Sequence, residues 1–389
     1  MKILCISIYI ILLKIIKSLK NDFRSFNLLK LSNVYYVELY MNYIDNSSKT
    51  IIVMVDINAE FTLMAIPYFC INKNIMGKFS ETKDLLFKDT IVPARVITST
   101  VLISNEVVEN YTFYNIDDMN LFHFRRPYIP LAYSFSNETF SITHSLYNKK
   151  IIQHKKFSFD PILSQLHIGG VPFDSINGKY SSKCQVRSKY KKWGCTMNYA
   201  YIGNLNNYTQ IYNNKNRYAY FISTESKIYA PKYFFDFMQN KLLKEQFDNG
   251  LCTLNNDTFA NFFSCKCELF DKLYKIYFSF DEREFSIPMR SILFKSPFEE
   301  KNDKCDLLIY NKANNNDWIF GVSFLNNFVT VFDYEDSTIK FYSDYPFYQS
   351  EIMHLLTSTH TSIILFIIVI TINALNCIIL IYTKIKLNN

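Results

Sequence analysis

The stretch Ile319-Phe320-Gly321-Val322-Ser323-Phe324-Leu325-Asn326-Asn327-Phe328-Val329-Thr330-Val331-Phe332-Asp333, closed by Ser337-Thr338-Ile339-Lys340-Phe341, is the most informative part of this 389-residue chain. Its second half, Asn327 to Asp333, is rich in β-branched and aromatic residues, the composition of a strand. Similar runs recur upstream at Tyr35 to Tyr40, Ile51 to Val55, Arg95 to Ile103 and Tyr274 to Phe280. Helical signals are confined to Ile142 to Ile152 and to Lys232 to Phe247, which follows Pro231. The pattern predicts an all-β protein with a few short helices. Roughly 330 residues between the chain ends exceed one small sandwich, so two lobes are expected. No repeat with a period of about 20–50 residues is visible.

Composition removes several classes. The chain is 49% hydrophobic and 17% aromatic, which excludes a disordered polymer. Eight glycines and ten prolines exclude collagen-like and linker sequences. The glycines lack the spacing of a P-loop or a dinucleotide fingerprint, and only Gly169 and Gly170 are adjacent. Forty-two Lys+Arg against 35 Asp+Glu give +7, a mild and dispersed charge that argues against a nucleic-acid partner. The basic stretch Arg187 to Trp193 reads as a solvated hairpin. The six histidines form neither a Ser/His/Asp set nor a metal-ligand pattern, so no cofactor and no metal are expected. Cys265-Lys-Cys267 also has the wrong spacing for zinc.

The ends suggest the secretory pathway. Met1-Lys2 precedes an apolar run from Ile3 to Leu13, so residues 1–20 read as a signal peptide; no small-x-small cleavage site follows. Ile363 to Tyr382 carries no charge, and its 20 residues match the length a helix needs to cross a bilayer. Lys384 and Lys386 follow, which puts the tail 383–389 in the cytoplasm and the bulk of the chain in the lumen or outside. The expectation is a single-pass type I membrane protein. Cys5 falls in the signal and Cys377 in the span. Of the seven remaining cysteines, six can pair in an oxidising compartment. Sequons at Asn46, Asn110, Asn137, Asn207 and Asn256 permit glycosylation but carry little weight in an Asn-rich chain.

Read in order, these segments resemble the pepsin-like aspartic proteases. The opening stretch is similar to the family's I-L-G-D-x-F-L-x-x-Y-x-x-V-F-D, followed by x-x-I-G-F. Upstream, Tyr277 to Phe280 and Phe285 to Pro288 resemble its F-x-F segment and I-P-P step. Tyr128 to Tyr133 sits where the family has G-I-L-G-L-x-Y. Lys150 to Ser158 resembles its I-x-x-x-x-F-S step, and Leu166 to Gly170 its L-x-x-G-G strand. Trp193 to Ile202 is similar to the strand before the second catalytic loop. Tyr35 to Tyr40 and Ile51 to Asp56 look like the strand pair entering the first, and Leu63 to Cys70 like the segment after it. The resemblance covers roughly residues 33–342 and implies a bilobal pepsin-like fold, with an N-terminal lobe over 21–200 and a C-terminal lobe over 201–350. It also implies a Cys267–Cys305 disulfide, which leaves Cys184–Cys195 and Cys252–Cys265 as local pairs and Cys70 odd.

The family hydrolyses peptides with two carboxylates that share a proton, one as general base and one as general acid. Each comes from a D-(T/S)-G loop. Here the first loop reads Asp56-Ile57-Asn58-Ala59: the acid is kept, the hydroxyl residue is Ile and the glycine is Asn. Asn tolerates unusual dihedrals better than most residues. Counting back from Pro231 puts Ile222-Ser223-Thr224-Glu225-Ser226 in the second loop, with Ile222 in the place of the second Asp. A one-residue slip gives Ser223 instead. Glu225 is the loop's one carboxylate and a weak substitute. Pro127 and Pro130 stand at two glycine positions of the first lobe, Val322 replaces the Asp after Gly321, and the flap expected near Val96 to Ile103 lacks its tyrosine and glycines.

Three readings follow. The favoured one is a non-catalytic relative whose inter-lobe cleft binds a peptide or protein. The second is an active aspartic endopeptidase with atypical loops, Asp56 working with Glu225 or with a partner chain. The third is a structural or adhesive surface module.

Overall fold

The computed structural model describes residues 23–31, 34–42, 48–59, 63–64, 77–87, 90–103, 106–115, 128–133, 141–187, 192–204, 207–208, 212–257, 260–272, 275–281, 283–295, 303–312, 316–345 and 348–349. The expected signal 1–20, the apolar run 363–382, the tail 383–389 and Cys70 lie outside them. Among the described residues no helix is long and apolar enough to cross a membrane.

The protein is built mostly of strands, in three sheets. An 8-stranded sheet takes its strands from Leu29–Leu31 through Tyr128–Pro130. A 12-stranded sheet takes its strands from Gly194–Asn204 onward. A 6-stranded sheet joins the halves, combining Arg24–Asn27, Lys156–Asp160, Gln165–Ile168 and Tyr180–Gln185 with Val329–Asp333 and Thr338–Ser343. The strand runs read from the sequence appear at Val34–Asn42, Ser48–Asp56, Thr90–Ile103, Lys275–Phe280 and Val329–Asp333. Pro231, with φ −58°, starts the helix Lys232–Phe237, where its missing N–H costs nothing. Ser141 caps Ile142–Asn148 by accepting from the His144 N–H.

The two large sheets share an arrangement. In the first, Ser48–Asp56 runs parallel to Tyr128–Pro130, which is antiparallel to Leu63–Met64, which is parallel to Glu106–Asn115. In the second, Tyr212–Phe221 runs parallel to Trp318–Phe320, which is antiparallel to Ile228–Tyr229, which is parallel to Lys304–Lys312. Each set needs long crossovers rather than tight hairpins. Each therefore brings a loop at the end of its first strand up against a distant part of its own half.

The joining sheet repeats a motif too. Phe159-Asp160-Pro161-Ile162-Leu163-Ser164 and Phe332-Asp333-Tyr334-Glu335-Asp336-Ser337 are both F-D-x-x-x-S hairpin turns. In each, the Asp Oδ1 accepts the N–H groups two and three residues on, at 2.9–3.1 Å. In each, the Ser adopts a positive φ, 52° and 51°. The strands leading into the two turns pair antiparallel, with Phe157 opposite Phe332 and their rings stacked 4.7 Å apart.

Aromatic side chains fill the space between the sheets. Trp193 is fully buried against Phe157, Phe332, Tyr334 and Tyr133. Phe221 packs on Phe280, Phe320, Phe324 and Phe341. Burying one such ring contributes about 1.5–3 kcal/mol. Disulfides join Cys184 to Cys195, Cys252 to Cys265 and Cys267 to Cys305.

Candidate active-site loops

Asp56 ends its strand in parallel register with Pro130. Its Oδ1 accepts the Asn58 N–H at 2.8 Å, and its backbone carbonyl accepts the Leu131 N–H at 2.9 Å. The Leu131 carbonyl in turn accepts the buried Trp193 Nε1–H at 2.7 Å. The Asp56 loop is thus braced by one tryptophan, whose ring packs on Phe157 and Phe332 of the joining sheet.

The two loops grip each other. Ser223, fully buried, accepts the Ile57 N–H at 3.1 Å and donates to the Val55 carbonyl at 2.6 Å. A hydroxyl can do both at once, being donor and acceptor. Ile57 has no hydroxyl with which to answer. Asn58 reaches across instead, its Nδ2 donating to the Phe221 carbonyl at 3.1 Å. The bonded carbonyls belong to the residues just before Asp56 and just before Ile222. The loops are therefore joined at matching points, one by a serine and the other by an asparagine.

Asn58 is not among the residues with positive φ, so the strained turn that the sequence suggested for it is not needed. Its role as a cross-loop donor was missed in the sequence. The only signal was the pairing of a lost hydroxyl at 57 with an amide one residue later.

Behind the second loop, Ile222 donates its N–H to the Phe320 carbonyl at 2.9 Å. The Val322 and Ser323 N–H groups donate to the Glu225 and Ser226 carbonyls at 2.8 and 3.1 Å. This crossing is tight. A Cβ on Gly321 would lie 2.3 Å from the Lys227 carbonyl oxygen and 2.4 Å from that of Glu225. Glu225 itself is exposed, and its carboxylate accepts from the Tyr229 hydroxyl. Burial first, and then that bond, push the Tyr229 hydroxyl well above its ordinary pKa. Lys227 pairs with Asp257 at 2.8 Å and lies 4.3 Å from the Tyr310 ring centre.

A sequence model described as eukaryotic aspartyl protease matches residues 128–343. The chain belongs to the eukaryotic aspartyl protease family. No curated protein matches it. The matched span of this aspartyl protease relative holds the second loop, Gly321 and every strand of the joining sheet but Arg24–Asn27. Asp56 lies before the span, so its placement rests on the strand register and the cross-loop bonds. Val96 to Ile103, where a flap tip was expected, lies inside the 14-residue strand Thr90–Ile103. Residues 88–89 and 104–105, beyond its two ends, are outside the described residues. Among the described residues no group of three His, Cys, Asp or Glu side chains could hold a metal ion.

Proposed function

We propose that this chain is a non-catalytic relative of the aspartyl proteases whose cleft, at the paired loops, holds a peptide or protein ligand. One observation carries the reading: Ser223 grips the first loop at Ile57 and Val55, while Asn58 grips the second at Phe221. That register supports reading Ile222 as the counterpart of Asp56. An isoleucine can neither share a proton nor protonate a leaving amine. The other loop carboxylate, Glu225, is exposed and engaged by Tyr229, which argues against it as a replacement acid. A lone Asp56 can still hydrogen-bond a ligand, and the grip preserves the frame around it. General acid–base partners contribute about 10²–10⁴-fold each, so loss of one removes most of the rate. The basic start, the apolar run 363–382 and the basic tail make the ligand-binding part lumenal or extracellular, held by a type I anchor.

The test is turnover of a broad peptide library by the full chain from pH 3 to 7, beside Asp56→Ala and Ile222→Asp. The expected result is no cleavage above the Asp56→Ala control, and acid-dependent cleavage gained in Ile222→Asp. Cleavage by the natural chain that Asp56→Ala abolishes overturns the proposal and makes the protein an active endopeptidase.

A further inference from the structure

A second concave site lies where the joining sheet meets the second large sheet, and it uses neither catalytic loop. Tyr180–Gln185 pairs antiparallel with Thr338–Ser343, so Ser181 lies opposite Tyr342 and Lys183 opposite Lys340. These side chains, with Gln185, line a cavity of about 640 Å³ closed on one side by Asp281 and Arg283 of the neighbouring hairpin.

Two features of this cavity suit an anionic ligand. First, two lysines face each other across a strand pair, where like charges destabilise a sheet. Lys340 is partly relieved by Asp333 and Asp336 at 3.5 and 3.3 Å. Lys183 and Arg283 have no carboxylate partner among the described residues. Second, the lining is rich in donors: three hydroxyls, two ammonium groups and a guanidinium, while the Gln185 amide NH2 is spent on the Asp336 and Ser337 carbonyls. The one acid, Asp281, already accepts the Gln185 N–H at 2.6 Å through Oδ2. Its other oxygen is left to take a hydroxyl. Convergent Arg and Lys with hydroxyl donors are the chemistry that recognises phosphate and sulfate oxygens. The volume is far more than one inorganic anion fills and falls within the usual range for small organic ligands.

We propose that this cavity binds a phosphate or sulfate ester of a polyhydroxy compound, with Lys183 and Arg283 holding the anion and Asp281 taking a hydroxyl.

Titration calorimetry of the full chain in detergent, at constant ionic strength, tests this with glucose 6-phosphate, glucose 6-sulfate and glucose as probes. Saturable binding of at least one ester and none of glucose is expected, and the ester that binds identifies the anion. Lys183→Gln and Arg283→Gln should each weaken binding tenfold or more, with Arg283→Lys in between. Lys295→Gln, an exposed charge outside the cavity, should bind as the natural chain does. Lys183 and Arg283 are themselves exposed, so their replacement leaves the core intact, which near-ultraviolet circular dichroism checks. The proposal fails if neither ester saturates, if glucose binds equally, if both cavity variants bind unchanged, or if Lys295→Gln weakens binding as much as they do.

Discussion

Ser223 and Asn58 each hold a carbonyl that belongs to the opposite loop, the first contact buried and the second partly so. Ser223→Ala strands the Ile57 N–H and the Val55 carbonyl. Each unsatisfied buried group costs on the order of 1–3 kcal/mol, so a destabilisation of about 2 kcal/mol is expected in a urea midpoint measurement. Ser223→Thr keeps the hydroxyl and should recover most of it. Asn58→Gly brings the family's own residue to that position, yet here it should destabilise by about 1 kcal/mol, because the donor to Phe221 is lost. If Asn58→Gly is neutral or stabilising by the same measurement, the amide is not acting as the missing hydroxyl. The sequence showed which residues had changed in these loops. It could not show that the loss at Ile57 is made good at Asn58, since the partner is 163 residues away.

At the scale of elements, the segment at Gly321 crosses residues 225–227 with no room for a Cβ. The obstacle to a Cβ there is backbone on both sides, which cannot swing away as a side chain does. Gly321→Ala should therefore destabilise by about 3 kcal/mol, the cost of overpacking a rigid site, and shift the thermal midpoint accordingly. A variant with an unchanged midpoint would mean that the second loop is free to move off. The first half tolerates Pro130 in register with Asp56 because the pairing there uses the Leu131 N–H, donated to the Asp56 carbonyl, and asks nothing of the nitrogen at 130. The strands themselves were legible because β-branched and aromatic runs mark them locally. Their parallel pairing was not, because the register of a crossover strand depends on partners far away in the chain.

Across the whole molecule, the joining sheet carries a pH dependence. His167 is fully buried, with Nδ1 2.8 Å from the Ser25 Oγ and its ring edge-on to Phe23. Burial lowers its pKa to about 4, against a smaller opposing pull from Asp160. An unfolded His titrates near 6.5. Below about pH 6.5 the unfolded chain therefore takes up a proton that the folded chain refuses until about pH 4, and stability falls with pH across that window. His167→Gln should flatten this fall, read as a smaller loss of urea midpoint between pH 7 and pH 4.5; an unchanged loss would place the acid sensitivity elsewhere. The sequence by itself determined the class of fold, because strand composition and the ordered segments from Tyr128 to Tyr342 are properties of local runs. It also fixed that no D-T-G or D-S-G tripeptide exists in the chain. Only the tertiary structure showed that the Ser223 side chain is the one bonded into the first loop, since Ile222 and Ser223 are one residue apart and periodicity cannot separate them. The hydroxyl of Ser223 separates them physically: a buried N–H and a buried carbonyl must both be satisfied, and one register satisfies both.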